Sequence, residues 1–89
     1  MFMCDLKPGD KGQIISVNAE GEVGFRLTDM GLVKGTAFKV VRIAPLGDPV
    51  EIKVRGFLLA LRQQEAGFIE VEKLGHVGDG KPMKNRKRL

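Results

Sequence analysis

The chain has 89 residues and a formal net charge of +4, with 43% hydrophobic and 29% charged residues; this composition fits one small globular domain and excludes a two-domain protein. No apolar run approaches the roughly 18 residues that a membrane span needs, and the N-terminus lacks the pattern of a secretory signal. A single cysteine, Cys4, excludes an internal disulfide and favours a cytoplasmic protein.

Glycines and prolines divide the chain into short apolar runs, as turns do in a small all-β protein. The run VEIKVR alternates apolar and charged residues, which is the period of a half-buried strand. The run TAFKVVRI has apolar residues on both faces, which predicts a bulge or burial on two sides. The predicted strands are residues 11–18, 36–43, 50–55, 57–61 and 68–73.

A short helix is predicted between the first two strands. Val23, Leu27 and Met30 fall on one helical face, and we expect this face to cover one end of the sheet. Gly31 stands where a helix C′ residue belongs and is predicted to have a positive φ. Gly35 is predicted to form the turn into the next strand.

These elements predict an all-β fold with one or two short helices, in which about five strands curl into a small barrel that leaves few exposed edges. A second helical turn is predicted at residues 62–67. The domain is predicted to span residues 1–74. Residues 75–89 are predicted to form a basic, disordered tail, because apolar residues are sparse there.

Three stretches resemble the FeoA family of ferrous iron transport proteins: RLTDMGLVKGT, APLGDPVEIKVRG and LALRQQEAGFIEV. They occur in the family's order at compatible spacing, and the resemblance runs from about Leu6 to Val71. It implies an SH3-like β-barrel. It also implies a cytoplasmic accessory protein of FeoB, the membrane permease that takes up Fe(II) and carries a GTP-binding domain. The protein would then lie at the inner membrane through its partner.

Enzymatic chemistry has little support in the sequence. The one histidine, His76, is assigned to the tail, far in sequence from Cys4, and a Cys/His nucleophile pair must lie within hydrogen-bond reach. The glycines do not follow the spacing of a phosphate-binding loop, and no Gly-Lys-Ser/Thr is present. We therefore expect a non-catalytic protein that does not hydrolyse nucleotides.

No cofactor is expected either. A stable transition-metal site needs three or four converging ligands, and the sequence offers one cysteine, one histidine and scattered carboxylates. Asp48, Glu51, Glu70 and Glu72 could bind a hard divalent cation weakly or adventitiously, although charged strand faces are usually only solvated. We expect no tight iron site in this chain.

A partner-binding surface is the main functional candidate. The turn APLGDP contains two prolines and a glycine that fix its shape, and the residues assigned to the surface are Leu46, Gly47, Asp48, Pro49 and Arg55. If Leu46 points outward, it is an anchor that binds at low entropic cost; if it folds back, the turn only joins two strands. The candidate polar rim is Arg55, Arg62 and Glu65.

The basic charge is concentrated at the C-terminus. Residues 75–89 carry five basic residues and one acidic residue, whereas residues 1–74 carry ten of each. The tail could contact an anionic membrane surface. The alternative function is a barrel that associates with nucleic acid through this tail, but without Trp or Tyr no specific nucleic-acid binding is expected. Exposed strand edges would also allow a homodimer.

Overall fold

The computed structural model describes residues 1–76, which form one sheet with short helical segments between its strands. A 3₁₀ turn, Met3–Asp5, precedes the sheet. The strands are β1 Asp10–Val17, β2 Ala37–Ile43, β3 Val50–Val54, β4 Phe57–Leu61 and β5 Ile69–His76. The helices are α1 Gly21–Asp29 and α2 Gln63–Ala66. No helix within residues 1–76 is long and apolar enough to cross a membrane.

The strands are arranged in the order β4-β3-β2-β1-β5, and every neighbouring pair is antiparallel. This arrangement confirms the predicted all-β fold of five strands. Register shifts occur in the β1–β5 and β2–β3 pairs, and such irregularities bend and twist a sheet. One shift lies between Val40 and Arg42, where the mixed apolar pattern of β2 had predicted a bulge.

The two edge strands differ in how they are covered. Phe2 forms a bridge with Glu70 of β5, and the Val71 amide donates a hydrogen bond of 2.9 Å to the Met1 carbonyl. The N-terminus therefore pairs with part of the outer edge of β5. At the other end of the sheet, β4 has β3 as its neighbour on one side only.

The core lies on the inner face of the curved sheet. In β3 the side chains of Val50, Ile52 and Val54 are buried, while Lys53 between them is exposed, as the alternating pattern predicted. Burial of this apolar surface is the main favourable contribution to folding. The buried cluster consists of Met3, Leu6, Ile14, Leu27, Leu32, Phe38, Val40, Val50, Ile52, Val54, Leu61, Ala66, Ile69 and Val71.

Helix α1 ends in a tightly hydrogen-bonded turn at Gly31. The Leu32 amide donates to the Leu27 carbonyl at 3.0 Å, and the Gly31 amide donates to the Thr28 carbonyl at 2.9 Å, which together form a Schellman motif. Gly31 has a φ of +89°, the left-handed value that the sequence predicted. Leu27 and Leu32 are both fully buried, so the turn also returns the chain to the core.

Gly35 forms the turn into β2, as expected from its position. Its φ is +90°, and its amide donates a hydrogen bond of 2.7 Å to the Ile14 carbonyl of β1. The hydroxyl of the next residue, Thr36, donates to the Gly31 carbonyl at 3.2 Å. The two glycine turns are thus held to each other and to β1, which fixes where α1 ends.

The predicted helical face is only partly buried. Leu27 is fully buried and Met30 packs against the core, but Val23 is 36% exposed. Leu27 and Met30 lie towards the C-terminal end of α1, whereas Val23 lies in its first turn. Phe25, at the middle of α1, is 71% exposed.

Gly75 and His76 are not part of a tail, contrary to the prediction. They belong to β5, where Gly75 pairs with Lys11 and His76 pairs with Asp10. Backbone pairing with β1 holds these two residues in the sheet. The prediction of a tail used only the scarcity of apolar side chains, which does not detect such pairing. The remainder of the predicted tail, residues 77–89, lies outside the described residues.

Asp10 is a buried carboxylate at the start of β1, 4% exposed. Its Oδ2 accepts a hydrogen bond of 2.8 Å from the Lys7 amide. Its Oδ1 lies 2.7 Å from His76 Nδ1 and 3.5 Å from Lys73 Nζ. The Lys7 hydrogen bond, together with His76 and Lys73, lowers the pKa of Asp10 below its ordinary value, although burial opposes this shift.

Asp10 should contribute to acid unfolding. Because its pKa is lower in the folded than in the unfolded chain, ionised Asp10 stabilises the fold above the unfolded pKa of about 3.9. This stabilisation should be lost as the pH falls from about 5 through the folded-state pKa. Urea denaturation across this range should show a weaker pH dependence for Asp10→Asn than for the wild type. Asp29→Asn, at an exposed carboxylate on α1, is the matched control, and an equal change in both variants would contradict this role.

Gly31→Val should destabilise the fold. A non-glycine residue at a left-handed φ costs on the order of 1–2 kcal/mol, and an added Cβ would lie 2.9 Å from Arg55 Nη1. Denaturant titration should show this loss in the free energy of unfolding, with a smaller loss for Gly31→Asn, because Asn tolerates positive φ. Equal stability of the Val variant and the wild type would show that the turn does not need glycine.

Candidate functional site

The loop between β2 and β3, residues 44–49, projects one hydrophobic side chain into solvent. Leu46 is 96% exposed. The Gly47 amide donates to the Ala44 carbonyl at 2.7 Å, and the Ala44 amide donates to the Pro49 carbonyl at 3.1 Å. The Asp48–Pro49 peptide bond is cis. Of the two alternatives for Leu46, the structure shows the outward one, on a loop that is closed by its own backbone hydrogen bonds.

Asp48 connects this loop to helix α2. Its Oδ1 accepts a hydrogen bond of 2.7 Å from the amide of Gln63, the first residue of α2. Amides in the first turn of a helix have no partner within the helix, so Asp48 supplies an acceptor from 15 residues away in sequence. Asp48 therefore does more than stabilise its own turn: it holds the loop in a set position beside α2.

Glu65 connects α2 to α1. Its Oε1 accepts a hydrogen bond of 2.9 Å from the Arg62 amide, and its Oε2 forms an ion pair with the guanidinium of Arg26 on α1. Glu65 is only 6% exposed, so it is not a solvated rim residue, which sequence reasoning had left open. A buried carboxylate needs such partners because burial alone strongly disfavours its charged form.

A pocket of about 310 Å³ lies where these elements meet, lined by Arg26, Asp48, Pro49, Ala60, Leu61 and Arg62. Two arginines and one aspartate therefore line it together with three apolar residues, next to the loop that carries Leu46. A side chain inserted by a partner could bury apolar atoms there and meet charged groups at the rim. This arrangement is typical of a protein contact site.

The structure separates Arg55 from the rest of the predicted surface. Arg55 occupies the turn between β3 and β4, with a φ of +53°. Pro49 precedes β3 and Arg55 follows it, so the five residues of that strand, roughly 16 Å in length, lie between them. The Arg55 guanidinium instead lies over Gly31, at the end of α1. Arg55 is therefore not adjacent to Leu46, because the length of β3 separates the two turns.

Sequence reasoning missed the exposed aromatic Phe25. With Val17, Ala19, Gly24 and other residues it lines a second groove, of about 360 Å³, beside α1. Phe25 lies off the face formed by Val23, Leu27 and Met30, and an aromatic residue on the polar side of an amphipathic helix is the signal that could have identified it.

Three of the four carboxylates named as weak cation ligands have other partners. Asp48 caps α2, Glu51 pairs with Arg42 at 2.8 Å, and Glu70 accepts a hydrogen bond from Ser16 at 3.3 Å. Within residues 1–76 no group of three or more His, Cys, Asp or Glu residues is placed to hold a metal ion. The arrangement therefore offers no preformed metal centre in the described part of the chain.

Cys4 is a free, partly buried thiol. Burial raises its pKa above the ordinary value, and the neighbouring Asp5 carboxylate adds to this effect. A thiol must lose its proton to act as a nucleophile or metal ligand. Cys4 is therefore poorly suited to either role.

Comparison with known proteins identifies the family. The family model for the FeoA domain matches residues 1–73. The chain is 34% identical, over 85 residues, to an Fe(2+) transport protein A/Fe(2+) transporter FeoB fusion protein of Porphyromonas gingivalis. The match covers 96% of this chain but 10% of the fusion protein, so the chain corresponds to a small part of that relative.

Solved structures give the same result. The NMR structure of FeoA from Chlorobium tepidum is 44% identical, with a TM-score of 0.75, and the match covers 93% of this chain and 75% of that one. The zinc complex of Stenotrophomonas maltophilia FeoA, described as a prokaryotic SH3 domain protein, is 29% identical with a TM-score of 0.72, covering 81% and 89%. These likenesses confirm the SH3-like barrel, and the chain belongs to the FeoA family.

Proposed function

We propose that this chain is a non-catalytic accessory protein of ferrous iron uptake that acts by binding a FeoB-type permease. The observation that carries the proposal is the Porphyromonas gingivalis relative, in which the two proteins form one chain. A covalent link raises the effective concentration of two modules for each other, as expected for modules that work in contact. The Stenotrophomonas maltophilia protein is itself described as a candidate activating factor of ferrous iron transport.

The loop at residues 44–49 is the contact surface that this proposal favours. Leu46 is nearly fully exposed, and the hydrogen bonds of Ala44 and Asp48 hold its loop in one shape. A binding element that is already ordered loses little conformational entropy when it binds. Arg26 and Arg62 lie at the adjacent pocket, and arginine around a hydrophobic anchor is typical of binding hot spots.

The proposal places the protein in the cytoplasm, at the inner face of the membrane, where it is held by its partner. A pull-down from membranes that contain or lack the permease tests the interaction itself. Recovery of the permease with the wild-type chain supports the proposal. Equal recovery of the chain from membranes without the permease would contradict it, since a membrane component other than the permease would then account for the binding.

Leu46→Ala should weaken permease binding by about 2 kcal/mol, the scale of a hot-spot residue. The melting temperature should stay unchanged, because an exposed side chain contributes little to the core. A binding titration and a thermal melt on the same sample separate the two effects. Leu74→Ala is the matched control, because Leu74 is an exposed leucine on β5 and should affect neither measurement. Unchanged binding by Leu46→Ala would remove Leu46 from the contact.

Asp48→Ala should lower stability by roughly 0.5–2 kcal/mol, the usual cost of losing a helix N-cap acceptor. The reason is that the Gln63 amide loses its partner. Permease binding should fall less than in Leu46→Ala, because Leu46 is retained on a loosened loop. Denaturant titration and binding measurements on both variants check this order, and an unchanged stability would show that the Asp48–Gln63 contact does not fix the loop.

The purified protein should have no tight Fe(II) site, because the carboxylates of residues 1–76 are not grouped for metal binding and stable sites need converging ligands. Anaerobic calorimetry should give only weak, non-stoichiometric heats with Fe(II). A one-to-one site of sub-micromolar affinity would overturn this expectation and would make direct iron binding part of the function.

A further inference from the structure

Three lysines lie side by side across the outer face of the sheet. Lys11 of β1 is the cross-strand partner of Lys39 of β2, and Lys39 is in turn the partner of Lys53 of β3. Their strand neighbours Phe38, Val40, Ile52 and Val54 point into the core, which places all three lysines on the outward side. This lysine row, Lys11, Lys39 and Lys53, crosses three of the five strands.

The row is electrostatically unfavourable in the isolated domain. Like charges directly opposite each other on neighbouring strands destabilise a sheet. Within residues 1–76 none of the three lysines forms an ion pair. The nearby carboxylate of Glu51, on the same outer face of β3, is already paired with Arg42 at 2.8 Å. Within the described part of the chain no direct ion pair therefore offsets the repulsion along the row, as expected if an external anionic group meets this face.

The lysine row is bordered by exposed apolar side chains. Leu58 of β4 is the cross-strand partner of Lys53 and is 61% exposed. Ala60, two residues further along the same outer face, is also exposed. The outward face of β4 is thus apolar and continues directly from the lysines. Basic side chains beside exposed aliphatic side chains suit a surface with anionic headgroups above hydrocarbon.

Gly75 of β5 pairs with Lys11, so β5 ends beside the first lysine of the row. The sequence that follows His76 carries Lys81, Lys84, Arg86, Lys87 and Arg88 against a single acidic residue, Asp79. In sequence, this basic segment comes directly after β5.

We propose that the lysine row is a binding face for anionic lipid headgroups at a membrane surface. Basic clusters bind such surfaces in proportion to their charge, and the attraction falls off within a Debye length. A nucleic-acid strand fits this face less well, because single-strand binding uses exposed aromatic side chains for stacking. The outer face has lysine, leucine and alanine at these positions. Phe38 is buried on the inner face, and the exposed Phe57 of β4 shares the strand parity of the buried Leu61 rather than that of Leu58.

Vesicle co-sedimentation tests this proposal without any permease. The full chain should bind vesicles of phosphatidylcholine containing phosphatidylglycerol, should not bind phosphatidylcholine alone, and should dissociate as salt is raised. Lys39→Gln should weaken binding about fivefold, which corresponds to the roughly 1 kcal/mol that one basic residue contributes near an anionic surface. The triple Gln variant of the row should lose roughly a hundredfold on the same basis.

Lys34→Gln is the charge-matched control, since Lys34 is an exposed lysine in the loop between α1 and β2. It should change vesicle binding by less than twofold. The melting temperature of Lys39→Gln should stay the same or rise, because the substitution removes repulsion on both sides. If Lys39→Gln loses vesicle binding while its melting temperature does not fall, the lysine row acts in membrane binding, and the loss is not caused by unfolding.

Three results would overturn the proposal. The first is equal loss of binding in Lys39→Gln and Lys34→Gln, which would indicate a response to net charge alone. The second is full loss when the five basic residues after His76 are changed to Gln, with no effect of the row variants. The third is binding of an oligonucleotide that depends on the row, with no binding to anionic vesicles. None of these results would affect a permease contact through Leu46.

Discussion

The buried carboxylate of Glu65 is the group on which the geometry of the candidate site depends. It accepts a hydrogen bond from the Arg62 amide at the start of α2 and pairs with Arg26 of α1. Because the Arg26 side chain is 55% exposed, water screens the ion pair and reduces its net strength. The role of Glu65 is to position other groups. It fixes the start of α2 through the Arg62 amide, and the next amide of that turn, Gln63, donates a hydrogen bond to Asp48 of the Leu46 loop.

A neutral domain can still have strongly charged faces. Residues 1–74 contain equal numbers of acidic and basic residues, but the structure distributes them unequally. Several carboxylates are used internally, among them Asp10, Asp48 and Glu65. The lysines of the row have no such use within residues 1–76. The net charge therefore did not predict the basic face. It includes acidic residues whose carboxylate oxygens already accept hydrogen bonds from other parts of the fold.

Local patterns in the sequence predicted most of the fold. The alternation in β3 identified a strand, and the position of Gly31 after an apolar helical run predicted its left-handed φ, because both depend on neighbours within a few residues. The relations that were missed are long-range. Glu65 meets Arg26 across 39 residues, and His76 meets Asp10 across 66. The periodicity of apolar residues along a strand or helix carries no information about such distant pairs. Glu65 was therefore considered for the surface, and His76 was assigned to the tail.

The candidate site was predictable in part for the same reason. The prolines and the glycine of the loop indicated a fixed shape. Leu46 points outward, which was one of the two orientations that the sequence left open. The sequence could not place Arg55, because its distance from Leu46 depends on the length of β3. Nor could it show that Asp48 caps α2, since that contact forms only when β4 returns the chain to the loop.

Site-specific photo-crosslinking tests the contact between the chain and the permease most directly. A photo-reactive amino acid in place of Leu46 should form a covalent adduct with the FeoB-type permease in membranes that contain both proteins. The same amino acid at Leu74 of β5, another exposed leucine, should not. Adducts of similar yield from both positions, or an adduct from position 74 alone, would contradict the account of the Leu46 loop as the contact surface.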